Sequence, residues 1–139
     1  MRKLPWVVLA SAGVIAACSD RPPVAPGGSL PRGTWASDVT SLTIQDTSAI
    51  LKVATSAACY GSYGEVDQPI PAPTFDVPGT YHQLTGAYPG QITYAARLSG
   101  AVQGQHLSIT ITVPALQQAY GPYGLTFGLN QTWNACLYP

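Results

Sequence analysis

A period of two runs through the second half of this chain and limits its fold more than any other feature of the sequence. From Gln91 onward, Ile92, Tyr94, Ala96, Leu98, Gly100 and Val102 fall on one face, against Thr93, Arg97, Ser99 and Gln103 on the other. Leu107, Ile109, Ile111 and Val113 then alternate with Ser108, Thr110 and Thr112. Side chains of a β-strand point by turns to its two faces, so this spacing predicts two strands, each with one apolar face. Gln103-Gly104-Gln105 between them is short and carries a glycine, which predicts a hairpin.

Earlier segments follow the same grammar: Leu42 with Ile44, then Leu51 and Val53 in register with Cys59, then Phe75 and Val77 leading to Tyr81. Asp46-Thr47-Ser48, Pro69 to Pro73 and Thr85 to Gly90 supply the breaks. A last strand is expected from Leu125 through Phe127 and Leu129 toward Trp133, and Ala115 to Tyr120 offers at most one short turn. With a start at Trp35 and the Gly64 to Ile70 stretch, the count reaches about seven or eight short strands. The expected fold is all-β, a small antiparallel β-barrel of about eight strands over residues 33–139. A barrel is favoured over a sandwich because only 9% of the residues are charged, which leaves few gatekeepers for an open edge.

The chain begins differently. Arg2 and Lys3 precede an apolar run from Leu4 to Ala17 that is shorter than the about 20 residues a spanning helix needs, the pattern of an export signal. It closes on Ile15-Ala16-Ala17-Cys18, which resembles a bacterial lipobox, where small residues fit the signal peptidase and the cysteine thiol carries a diacylglyceryl group. The resemblance implies a cleaved signal peptide over residues 1–17 and a mature N-terminus at an acylated Cys18. It makes the membrane a partner through that anchor, several acyl chains at about 0.8 kcal/mol per buried CH₂ giving stable residence. Ser19 rather than Asp follows Cys18; by the sorting rule of enteric bacteria this points to the outer membrane, facing the periplasm. Residues 18–32 hold Pro22, Pro23, Pro26 and Pro31 with Gly27 and Gly28, a linker able to reach on the order of 20 Å as a coil and roughly 40 Å drawn out.

Beyond the leader, four cations (Arg21, Arg32, Lys52, Arg97) stand against six carboxylates, so no basic stripe exists to follow a phosphate backbone and nucleic acid is not an expected partner. With Cys18 committed to lipid, Cys59 and Cys136 remain as a pair, expected to form a disulfide in an oxidising compartment. Free thiols serving a metal or a redox couple would lack both C-x-x-C spacing and histidine neighbours. A loop of about 78 residues would restrict the unfolded chain by roughly 4 to 4.5 kcal/mol. Strand parity puts Cys59 on the inward face and Cys136 opposite Phe127, Leu129 and Trp133, so the bridge needs a bulge near Asn134 or a place at the barrel end.

Catalytic motifs are not evident. His82 and His106 are the only histidines, expected on outward or loop positions with Asp67 and Asp76 as conceivable companions, and neither a metal nor another cofactor is expected there. A G-x-S-x-G elbow is lacking, and Glu65 with Asp67 or Asp76 has no context for glycoside chemistry, so an enzyme is not expected. The tyrosines carry more. Tyr60-Gly61-Ser62-Tyr63-Gly64 and Tyr120-Gly121-Pro122-Tyr123-Gly124 echo one another, and if the disulfide draws Cys59 toward Cys136 these segments, read as loops, would meet at one end and present rigid amphipathic rings. A cavity lined by Trp35, Tyr81, Tyr94 and Phe127 is the other binding option, against a barrel filled by its own side chains.

Gly33-Thr34-Trp35 resembles the G-x-W that opens lipocalin-type barrels. The chain is also similar to small uncharacterised bacterial lipoproteins that share G-T-W, a mid-chain Cys followed by a short acidic stretch and Pro, a segment like Phe75-Asp76-Val77-Pro78-Gly79-Thr80-Tyr81, and a Cys-Leu ending like Cys136-Leu137. The resemblance implies a barrel and an envelope location, and it attaches no activity. Against lipocalins the chain is short and lacks an Arg near the last strand to pack over Trp35. The expected function is that of a membrane-anchored envelope lipoprotein acting as a non-enzymatic binding or protein-interaction module, or alternatively as a lipocalin-like carrier of a small apolar ligand.

Overall fold

A computed structural model describes residues 28–56, 59–85 and 90–136; the expected signal, Cys18 and most of the expected linker lie outside them. The strands are β1 (Gly33–Ala36), β2 (Thr40–Ile44), β3 (Ala49–Ser56), β4 (Cys59–Val66), β5 (Thr74–Leu84), β6 (Gln91–Gln103), β7 (His106–Val113), β8 (Gln118–Phe127) and β9 (Asn134–Ala135). From β1 to β8 each strand pairs antiparallel with the next, and β8 returns to β1 through Trp35–Phe127 and Ala36–Thr126, closing an eight-stranded barrel. Closure of this kind leaves few backbone donors without a ladder partner, as the scarcity of charge requires.

Alternation sets what lies inside. Leu107, Ile109, Ile111 and Val113 of β7 are all buried, with Ala96, Leu98 and Val102 of β6 facing them, and Gln103 pairs with His106 across the expected hairpin. Glycines accommodate the large side chains. A Cβ on Gly64 would sit 3.3 Å from Ile111 Cδ1 and 3.8 Å from Leu98, and one on Gly79 would meet Leu98 and Val66 at 3.1 Å. The middle of the barrel is thus filled by side chains of β6 and β7 leaning on bare backbone of β4 and β5.

The two ends differ. At the end holding the β2–β3 and β4–β5 connections, Leu30, Ile70 and Ala72 are buried in the core cluster. Residues 28–30 lie along 70–72 there: Leu30 N–H donates to the Ile70 carbonyl (2.8 Å) and Ala72 N–H to that of Gly28 (2.9 Å). This strap seals the end. At the opposite end the inward positions are less covered: Val53, Ser62, Tyr94, Tyr120 and Tyr123 are half-buried, and Ile92 is 45% exposed.

Three local expectations are corrected. The two Y-G-x-Y-G segments are not loops but parts of β4 and β8. Their glycines serve strands, Gly64 by close packing and Gly121, at φ 112°, in the irregular stretch where β8 slips register between Ile109 and Ile111. The last barrel strand starts earlier than the apolar pattern indicates, at Gln118 after a 3-10 turn over Pro114–Leu116, and stops at Phe127. Gly128, at φ 84°, donates its N–H to the Thr34 carbonyl and turns the chain away, leaving Leu129 52% exposed.

The disulfide forms as expected, joining Cys59 and Cys136 with their Cα atoms 4.9 Å apart. Its place at the barrel end resolves the parity conflict. Cys59 opens β4, and the chain after β8 supplies β9, which pairs in parallel with Cys59 and Tyr60 while Cys136 N–H donates to the Tyr60 carbonyl (3.0 Å). β9 thereby covers a piece of β4 that lies beyond the reach of β5, whose ladder with β4 runs only from Ser62 to Glu65.

Candidate functional site

The less covered barrel end, open among the described residues, gathers tyrosines. Tyr81 on β5 faces Tyr94 on β6 as its ladder partner, ring centroids 6.5 Å apart, and Tyr120 on β8 stacks on Tyr81 at 5.2 Å and 15°. Tyr123 is inward as well, opposite Ile109. Tyr81 is 5% exposed, whereas the other three are half-buried, so solvent still reaches part of each of those three residues. Trp35, at 0% exposure, is tilted at 60° against the half-buried Phe127, centroids 4.9 Å apart.

The interior quartet read from sequence, Trp35, Tyr81, Tyr94 and Phe127, therefore does face one interior. Of the four echo tyrosines, Tyr120 and Tyr123 join that set. Tyr60 and Tyr63 do not. Tyr63 pairs with Lys52 and His82, on the outward side of the sheet, stacking on the imidazole at 4.4 Å and 17°. Tyr60 meets Tyr63 edge-on at 6.1 Å, with Lys52 Nζ 4.8 Å from its ring centre. Strand parity decides this division: Gly64 and Ser62 take the inward positions of β4, which turns Tyr63 out.

His82 differs from expectation. It points outward yet is only 8% exposed, held by Thr93 Oγ1 at 2.9 Å from Nδ1 and by Thr80 Oγ1 at 3.0 Å from Nε2. Its acidic neighbour is Glu65 at 3.4 Å, whereas Asp76 pairs with Arg97 at 2.8 Å and Asp67 is exposed. Register was the missing signal, because Glu65–Thr80 and His82–Thr93 become partners only once β4, β5 and β6 are aligned. His106 is exposed on the outer face, at the rim of an open hollow of about 440 Å³ floored by the adjacent small residues Ala101, Ser108 and Gly124. Among the described residues no group of three or more His, Cys, Asp or Glu could hold a metal.

The electrostatics of the interior are neutral. Arg32 pairs with Asp46 at 3.0 Å, both side chains 71% exposed, and Arg97 and Lys52 also stand outside. Two polar atoms inside the barrel, Trp35 Nε1 and Thr40 Oγ1, are buried without a hydrogen-bond partner among the described residues. Buried polar groups are almost always paired, because an unpaired one forfeits its hydration. Thr40 is the inward residue two positions before Leu42, which is the ladder partner of Trp35, and its own partner Val53 lies in the layer nearest the open end.

Burial is the main cause that raises the phenol pKa of Tyr120 and Tyr123 above the ordinary tyrosine value, with Tyr81 adding to it. A raised phenol favours the native state while neutral, so this stabilisation is complete below pH 10 and is lost as pH rises through the folded-state values. The apparent melting temperature is expected to fall between pH 9 and pH 11, and less steeply in the Tyr120→Phe/Tyr123→Phe variant. Equal slopes for the two proteins would refute the assignment.

No protein-family model matches this chain, and neither a curated protein nor a solved structure matches it at a significant level, so the site stands on its own geometry.

Proposed function

We propose that this chain is a lipid-anchored binding module of the bacterial cell envelope, a lipocalin-like barrel that holds a small apolar ligand in its tyrosine-lined end. The lipobox-like segment supports an anchor at Cys18, and the outer membrane facing the periplasm is its proposed place. One observation carries the binding reading: inward tyrosines remain half-exposed at one end while a strap buries Leu30, Ile70 and Ala72 at the other. A barrel filled throughout would have no use for that asymmetry, whereas a cup sealed at its base and walled by aromatic rings suits an apolar guest. The role is non-enzymatic. His82, the buried histidine, has both ring nitrogens occupied by threonine hydroxyls.

Native mass spectrometry of the full chain released from its own membranes tests the reading. A stoichiometric small-molecule adduct is expected on the unaltered protein and on Tyr60→Ala/Tyr63→Ala, and its loss on Tyr94→Ala/Tyr120→Ala with the circular dichroism spectrum unchanged. A bare unaltered protein, or an adduct that survives the Tyr94/Tyr120 change, would overturn it. Docking of an envelope protein is the second reading, favoured by the half-exposed row of Lys52, Tyr60 and Tyr63 on the outer face.

A further inference from the structure

We infer that the tyrosine-lined end points away from the bilayer that holds the anchor, so that its apolar guest is exchanged through the aqueous space and not with the lipid beside the anchor. This rests on the proposed anchor at Cys18 and on the reading of that end as a ligand seat. The strap decides where the tether enters. Leu30 N–H donates to the Ile70 carbonyl (2.8 Å), Ala72 N–H donates to that of Gly28 (2.9 Å), and the Leu30 side chain is buried in the core cluster. The chain therefore arrives at the sealed end, and its entry point cannot shift without opening the base of the barrel. Ile92, Tyr94 and Tyr120 stand at the other end, beside the connections that follow β5 and β7.

Lengths set the orientation. β6 has 13 residues, and at about 3.3 Å per residue and a tilt of about 40° it gives a wall about 30 Å tall. Ten residues, 18–27, separate Cys18 from the strap. A tether of that length spans about 18 Å as a flexible coil and about 31 Å in polyproline geometry. Bringing the tyrosine end to the lipid would send the tether back along the whole wall, consuming its full reach with none left to round the base. Charge does not reverse this. Arg32 pairs with Asp46 at 3.0 Å near the strap, where Asp67 is exposed, and among the described residues of the connections at the tyrosine end Asp38 alone is charged. Neither end thus offers a free cation to anionic headgroups. The opposing pull is apolar: Val39 and Ile92, at the rim of the tyrosine end, are 48% and 45% exposed and would be buried if that end dipped into lipid.

The test places the acylated full chain in lipid nanodiscs whose headgroups carry a gadolinium chelate and reads the paramagnetic broadening of its amide resonances. Asp46 and Asp67, at the strap end, are expected to broaden severalfold more than Ile92 and Leu116, at the tyrosine end. An insertion of about 20 Gly and Ser residues after Pro26 lengthens the coil about 1.7-fold and should bring the two ends toward equal broadening. Equal broadening with the native tether, or stronger broadening at Ile92 and Leu116, would mean that the rim sits in the lipid; it would overturn the inference and leave the anchor intact. A contrast undiminished by the insertion would mean that the strap end itself binds lipid, overturning the tether as its cause. A chain whose mass shows no acyl group on Cys18, or that does not stay with the discs, would overturn the anchor and the inference together.

Discussion

Replacing Cys59 and Cys136 by serine is expected to lower the unfolding free energy of the full chain by about 4 kcal/mol. The bridge closes a loop across a sequence separation of 77, and restricting so long a loop in the unfolded ensemble contributes roughly 4 to 4.5 kcal/mol in the chain-entropy model. The native state adds a local consequence. β9 has only two residues, Asn134 and Ala135, and without the covalent tie its two ladder pairs are too few to hold the segment against β4. Release of β9 would then bare the Cys59–Tyr60 edge, so the serine variant should exchange amide hydrogens faster at the start of β4 than along β7. Urea unfolding of both proteins measures the loss, and a difference below about 1 kcal/mol would rule out the loop-closure account.

Leu98→Ala is expected to cost about 3 kcal/mol, within the usual 2 to 5 for a fully buried leucine. The reason lies on β4 and β5. Leu98 is 0% exposed and fills the space above Gly64 and Gly79, which have no side chains to relax into the hole. A Leu98→Met change keeps most of the volume and should cost less than half as much. Denaturant midpoints measured at constant slope decide it, and equal losses for the two variants would mean that the inward glycines do not set the packing.

Much of this architecture was legible in the amino-acid pattern. The alternation from Ile92 to Val113 is strong because its residues turn alternately to one shared interior and one exterior, and β6 and β7 fall where that pattern places them. Weaker segments misled for physical reasons. Glycine and proline punctuate most chains, so Tyr120-Gly121-Pro122-Tyr123-Gly124 reads as a loop, yet the same residues make a bulged strand when β7 lies beside them. Leu129 continued the apolar period but is exposed, since the backbone at Gly128 had already left the ladder.

The candidate site was legible only in part. Trp35, Tyr81, Tyr94 and Phe127 could be assigned to one interior because parity within a strand is a local property. Which tyrosines share that interior was not local. Tyr63 turned outward and Tyr120 and Tyr123 inward through strand registers that involve bulges in both the β3–β4 and β7–β8 pairs. The buried His82 with Thr80, Thr93 and Glu65 had no sequence signal at all, because its partners come from three strands.

The sequence by itself determined that the domain is built of short strands with one apolar face, that Cys59 and Cys136 were available to each other, and that few charges stand on it. Those properties follow from side-chain chemistry and a two-residue repeat. Only the tertiary structure decided that one barrel end is sealed by the Leu30–Ile70 strap while Tyr94, Tyr120 and Tyr123 are half-buried at the other, and that Trp35 Nε1 and Thr40 Oγ1 lie buried without a partner among the described residues. Register and closure are relations between distant segments, and neither composition nor periodicity encodes which donor is left without an acceptor.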